Sequence, residues 1–65
     1  MKLTDLQIKL MREAGISITD PQEYKYLAED EDKLADLLIN SLGKGQQWTE
    51  KAQEVENLLN YLADY

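Results

Sequence analysis

Residues 26–38 have the sequence YLAEDEDKLADLL, which places four consecutive acids, residues 29–32, inside a pattern that is otherwise typical of an amphipathic helix. Apolar residues recur on both sides of the acids at a spacing of about 3.6 residues. An unbroken helix would put Glu31 near the middle of its apolar stripe. Because burying an unpaired carboxylate is costly, the pattern predicts a break here, with Asp30 capping a new helix and the next acids in its first turn.

The flanking sequence predicts three further helices. The first begins after Thr4, whose hydroxyl opens a capping box, and ends at Gly15. A short second helix begins at Asp20, because the sequence DPQE supplies an N-cap, a proline at the first helical position and a capping-box glutamate. The helix that contains the acids ends before Gly43, and the last helix begins after Thr49 and runs to the C-terminus.

Length and helical periodicity together predict the fold class. A chain of 65 residues forms one small domain, residues 1–65, without internal repeats or linkers. We expect an all-α, compact four-helix bundle with three long helices and one short one. Ile16 and Ile18, in the first connection, are predicted to enter the core, and Trp48 to close it where the last loop enters.

Several kinds of chemistry are excluded by composition. The chain has no cysteine and no histidine, which rules out disulfides, zinc fingers, thiol nucleophiles and imidazole bases. The acid run also fails the calcium-loop pattern, since counting from Asp30 puts Leu34, Ala35 and Ser41 at positions that require a ligand or a glycine. We therefore expect a non-enzymatic protein with no cofactor and no metal site.

Charge restricts the partners. The formal net charge is −6, and residues 20–36 hold seven acids against two lysines. Nucleic acid and anionic membrane are disfavoured because each would meet a surface of like charge. No run of 18 or more apolar residues and no secretory segment is recognisable, so we expect a cytoplasmic protein.

One segment resembles a known DNA-binding motif. Residues 12–27, REAGISITDPQEYKYL, are similar to the turn and second helix of helix-turn-helix proteins through Ala14, Gly15, Ile16 and Ser17. The resemblance covers about a quarter of the chain and implies a groove-reading helix after the turn. That helix would be rich in acids, whereas a groove-reading helix must tolerate the dense charge of the phosphates. Nucleic-acid binding is thus disfavoured, and because of the resemblance it is the second alternative.

The clustered acids and two neighbouring tyrosines indicate a protein-binding surface. Two tyrosines that straddle the short second helix cannot both enter the same small core, and tyrosine is a favoured interface anchor. The carboxylates can take the place of phosphates on a basic groove, although they also suit a solvated surface that keeps the protein soluble. The candidate partner-binding residues are Tyr24, Tyr26, Glu29, Asp30, Glu31, Asp32 and Asp36.

These observations predict a small acidic protein-protein interaction module. We expect a regulator or inhibitor of phage or mobile-element type that docks on a basic surface of a nucleic-acid-handling protein. The alternative from another class is a structural or assembly subunit, a homo-oligomer in which the wide apolar stripe of the last helix is completed by a second copy. That stripe comprises Trp48, Ala52, Val55, Leu58, Leu59 and Leu62.

Overall fold

The computed structural model describes residues 2–64, which form three helices and no strand. Helix α1 is Asp5–Glu13, α2 is Ala28–Ser41 and α3 is Glu50–Asp64. The molecule measures 38 × 19 × 19 Å, and its helices share one core. The all-α prediction is confirmed, whereas the prediction of four helices is wrong. The C-terminal residue of the predicted last helix, Tyr65, lies outside the described residues.

The ends of α1 are those predicted by its sequence. The Gln7 amide N–H donates to the Thr4 hydroxyl at 3.2 Å, and the Thr4 amide N–H donates to the Gln7 side chain at 2.8 Å, which completes the capping box. Gly15 follows the helix with a φ of 90°, a left-handed conformation that glycine adopts without strain. The chain therefore leaves α1 sharply and enters the core at Ile16.

Helices α2 and α3 pack against each other along their length and are joined by residues 42–49. The Thr49 hydroxyl accepts a hydrogen bond from the Ala52 amide at 3.0 Å, which caps the start of α3. The same hydroxyl donates to the Ser41 carbonyl at the end of α2, at 2.6 Å. Because the end of α2 meets the start of α3, the two helices run antiparallel.

Helix α1 lies against α3 and is fixed at both ends. Near the end of α1, the Glu13 carboxylate pairs with the Lys51 ammonium in the first turn of α3. At the other end, the Tyr61 hydroxyl donates to the Lys2 carbonyl. The hydrogen bond from Lys51 lowers the pKa of Glu13, with smaller electrostatic contributions from Lys51 and Lys9 and an opposing effect of desolvation. These contacts make α1 antiparallel to α3.

The core is made by one face of each helix and by the first connection. Ile16 and Ile18 are buried in it, as predicted. Leu6 of α1 is 47% exposed. The buried apolar residues are Leu10, Met11, Ile16, Ile18, Leu34, Ala52, Val55, Leu58 and Leu62.

The predicted short second helix is absent. Asp20 does cap a single turn, because its side chain accepts from the Gln22 amide at 3.0 Å and its carbonyl accepts from the Glu23 amide at 3.0 Å. The chain then becomes non-helical over residues 24–27. The strong local start signal therefore produces a turn, and the helix it predicts is not continued.

The predicted second helix is incompatible with a hydrogen bond between Tyr24 and Asp30, which are six positions apart in the sequence. The Tyr24 hydroxyl donates to the Asp30 carboxylate at 2.7 Å. In a continuous helix, residues with this separation lie about 9 Å apart along the axis and about 120° apart around it, so they do not meet. The hydrogen bond and a helix through residues 24–30 exclude each other, and the structure contains the hydrogen bond.

The role predicted for Asp30 is also corrected. Helix α2 begins at Ala28, and its N-cap position is Leu27, which provides no side-chain cap. Asp30 lies within the first turn with Glu29 and Glu31, where the helix dipole favours acids. The break predicted among the acids is therefore wrong: α2 is continuous through them, and the non-helical residues 24–27 precede them.

We expect Thr49→Val to lower the free energy of unfolding by about 1–2 kcal/mol, because the isosteric change removes both hydrogen bonds of the hydroxyl. Urea denaturation measures this effect. Thr19→Val is the matched control, since Thr19 is exposed, and it should change stability by less than about 0.5 kcal/mol. Equal losses in the two variants would contradict the capping role of Thr49.

Candidate interaction surface

The sequence-predicted partner-binding residues fall into two groups in the structure. Asp30 is only 6% exposed and faces inward, on the same side of α2 as Leu34. Glu29, Glu31, Asp32 and Asp36 are exposed. Tyr24 and Tyr26 are partly buried and pack against the core. A partner that approaches from solvent would therefore meet four of the five acids, while Asp30 lies beneath the surface.

Asp30 has its hydrogen-bond requirement met from within the chain. The Tyr24 hydroxyl reaches it from the segment before α2, at 2.7 Å. Across residues 2–64, every buried side-chain polar atom has a hydrogen-bond partner. A hydrogen bond to a charged group contributes about 1.5–3 kcal/mol, which makes this contact a substantial part of the stability of so small a domain.

The same contact changes the chemistry of Tyr24. Burial raises the pKa of Tyr24 far above its ordinary value of 10, and the hydrogen bond and charge of Asp30 raise it further. The phenol therefore stays protonated, as it must to donate. A phenol that stays protonated donates hydrogen bonds and does not act as a general base at neutral pH.

Three acids form the outer side of α2. Glu29, Asp32 and Asp36 are spaced three and four residues apart, so their side chains lie on one side of the helix with neighbouring Cβ atoms about 5–6 Å apart. We call these three residues the acidic face. Lys33 is the only cation in the sequence of α2, and it borders this face. The acidic face thus keeps a net negative charge along about two turns.

Tyr26 is linked to the acids electrostatically. Burial raises its pKa, and the charges of Glu31, Asp30 and Asp32 raise it further, in that order. An influence of this kind requires the carboxylates to lie near the phenol. Tyr26 thus lies within electrostatic range of the first acids of α2.

Ile39 belongs to the same side of α2, although sequence reasoning did not include it. It is 62% exposed and follows Asp36 by three residues and Asp32 by seven, which continues the acidic face with an apolar side chain. The spacing from Asp32 and Asp36 was visible in the sequence. Its exposure was not, because it depends on which side of α2 faces the core.

Trp48 also lies at the surface. Its side chain is 52% exposed, and its indole N–H donates to the Gln53 side chain at 2.8 Å. The prediction that Trp48 closes the core is therefore wrong. The core at this end is completed by the close approach of α2 and α3, which the Thr49 hydrogen bonds secure. Within residues 2–64, the large apolar side chains that remain exposed are Leu6, Leu27, Ile39 and Trp48.

A shallow cleft of about 390 Å³ lies between the connection after α1 and the first turns of α2. Its lining includes Ile18, Tyr24, Asp30 and Lys33. The Tyr24 hydroxyl and the Asp30 carboxylate line the cleft and are hydrogen-bonded to each other. The cleft lies where residues 15–27 cover the start of α2.

The acids do not converge on a point. In the described part of the chain, no three acidic side chains are close enough together to hold a metal ion. Nor does any helix in this part have the length and apolar character needed to cross a bilayer. Comparison of the chain with protein-family models, curated proteins and solved structures finds no match. The function must therefore be argued from the surface itself.

We expect Asp30→Asn to lower the pKa of Tyr24, because the amide oxygen still accepts the hydrogen bond but the negative charge is gone. Titration of the ring resonances by NMR measures the change. Asp36→Asn removes a carboxylate from the outer side of α2 and should leave the titration of Tyr24 unchanged. Identical Tyr24 titrations in wild type and Asp30→Asn would show that the contact is absent in solution.

Proposed function

We propose that this protein is a non-enzymatic regulator or inhibitor that binds another protein through the acidic face, Glu31, Tyr26 and Ile39. The partner presents a basic surface of the kind that holds phosphates in nucleic-acid-handling proteins. The observation that carries the proposal is the juxtaposition of exposed carboxylates with a partly buried tyrosine and an exposed isoleucine on and beside one helix. We place the protein in the cytoplasm, and a phage or mobile-element origin suits its small size and acidity.

The physical basis is complementarity with a rigid, charged groove. Carboxylates at helical spacing offer arginine and lysine side chains charge-assisted hydrogen bonds. Charge complementarity of this kind raises association rates and selects partners, whereas apolar anchors supply much of the affinity. Tyr26 and Ile39 provide such anchors at the two ends of the acidic face.

The alternatives lose the features on which they were based. The apolar stripe proposed for self-assembly is largely buried within one chain, since Ala52, Val55, Leu58 and Leu62 pack against α1 and α2. The helix that would enter a DNA groove is not formed, because residues 24–27 are non-helical. These observations favour a heterologous protein partner.

A pull-down with the tagged protein from nuclease-treated lysate of the source cell, at low and high salt, tests the proposal. We expect one stoichiometric basic protein that is released by salt, identified by mass spectrometry. Recovery of the protein itself and nothing else would contradict the proposal and favour self-assembly. Loss of binding only when nuclease is added would instead show that nucleic acid mediates the contact.

We expect the double variant Asp32→Lys/Asp36→Lys to weaken partner binding on the order of 10- to 100-fold, because two attractive contacts become repulsive. Glu54→Lys/Asp64→Lys is the matched control, since it makes the same change in net charge at exposed positions of α3. Isothermal titration calorimetry with the recovered partner measures both. Equal weakening in the two variants would assign the effect to net charge and contradict a defined site.

Ile39→Ala tests the apolar anchor. We expect roughly tenfold weaker partner binding with a stability change below about 0.5 kcal/mol, because the side chain is largely exposed in the free protein. Leu6→Ala, at a similarly exposed position on α1, is the control and should leave binding unchanged. Binding that is insensitive to Ile39→Ala would remove Ile39 from the interface.

A further inference from the structure

Residues 21–27 have a sequence and a structure that disagree. Asp20 and Pro21 form a favourable helix start, and the segment contains no glycine and no further proline. The first turn is already present, since the Asp20 side chain accepts from the Gln22 amide and its carbonyl accepts from the Glu23 amide. The helix nevertheless stops there and resumes at Ala28.

The start of α2 has features of a helix that could extend backwards. Its N-cap residue, Leu27, supplies no side-chain hydrogen bond, which leaves the first amides of the helix without the usual cap. The Leu27 side chain is 53% exposed, so its own movement disturbs little of the core, whereas Tyr24 and Tyr26 pack against the core and must change their contacts. Extension by residues 21–27 would give the first amides of α2 carbonyl partners and would place Lys25 one turn from Glu29.

We propose that residues 21–27 are a coil-to-helix switch and that the Tyr24–Asp30 hydrogen bond is the latch that holds it in the coil state. The geometry requires the two states to exclude each other, because residues six apart in a helix lie on different sides of it. Opening the latch extends α2 back to Pro21 and withdraws the partner of the Asp30 carboxylate.

The switch would regulate the proposed surface. In the coil state Asp30 is buried and does not contact a partner protein. In the extended state its carboxylate needs a new hydrogen-bond partner. A cation on a basic partner supplies one and therefore favours the extended state. This step rests on the proposed function, but the switch itself is a property of the free protein and is tested without any partner.

The experiment compares the isolated wild type with Tyr24→Phe, which removes the donor, and Asp30→Ala, which removes the acceptor. Cα chemical shifts and amide exchange are measured for residues 24–27. We expect both variants to show helical shifts there, with amide exchange at least about tenfold slower at Tyr26 and Leu27. Ellipticity at 222 nm should rise by roughly a sixth, since a short segment joins helices of 9, 14 and 15 residues.

Asp30→Asn is the control. It keeps an oxygen acceptor for the Tyr24 hydroxyl, so residues 24–27 should stay non-helical. Helix formation in Asp30→Asn would overturn the proposal, because the charge of Asp30 and not its hydrogen bond would then keep residues 24–27 non-helical.

If Tyr24→Phe does not fold, the result for Asp30→Ala decides whether the proposal stands. Coil shifts in a folded Asp30→Ala protein, or lost amide protection at Leu34 and Leu58 in both variants, would overturn the proposal. Either result leaves the partner-binding experiments unaffected.

Discussion

The hydrogen bond between the Tyr24 hydroxyl and the Asp30 carboxylate joins the first connection to the first turn of α2 and is incompatible with a helix through residues 24–30. Asp30 projects toward the core, and a buried carboxylate without a partner is destabilising. Tyr24 supplies the partner only if residues 24–27 leave the helical path. The predicted short second helix is thus absent in the arrangement that gives Asp30 a partner while α2 packs its inner side against α3.

Local signals in the sequence predicted the helix ends that depend on neighbouring residues. Thr4 with its capping box, Gly15 with its left-handed backbone and Thr49 at the start of α3 each act within four residues, and each is confirmed. The start signal at Asp20 is equally strong and equally local. It failed to predict a helix because a longer-range contact of Tyr24 decides the outcome, and hydrogen-bonded pairs of that kind leave no periodic trace in a sequence.

The candidate surface could likewise be predicted only in part from the sequence. Helical spacing alone places Glu29, Asp32 and Asp36 on one side of α2, and the structure has them exposed there. The burial of Asp30 and the exposure of Ile39 depend instead on the direction from which α3 and the first connection approach α2. A run of four acids therefore divides into one inward residue that organises the fold and three outward residues that face solvent.

The acidic face is not explained by the needs of folding. The helix dipole favours Glu29 in the first turn of α2, but its influence fades within that turn and does not reach Asp36. Like charges one turn apart, such as Asp32 and Asp36, destabilise a helix by about 0.2–0.5 kcal/mol, and the attraction of Lys33 to Glu29 and Asp36 is of similar size. The acidic face therefore adds little to the stability of the free helix, whereas the cations of a basic surface would interact favourably with all three carboxylates.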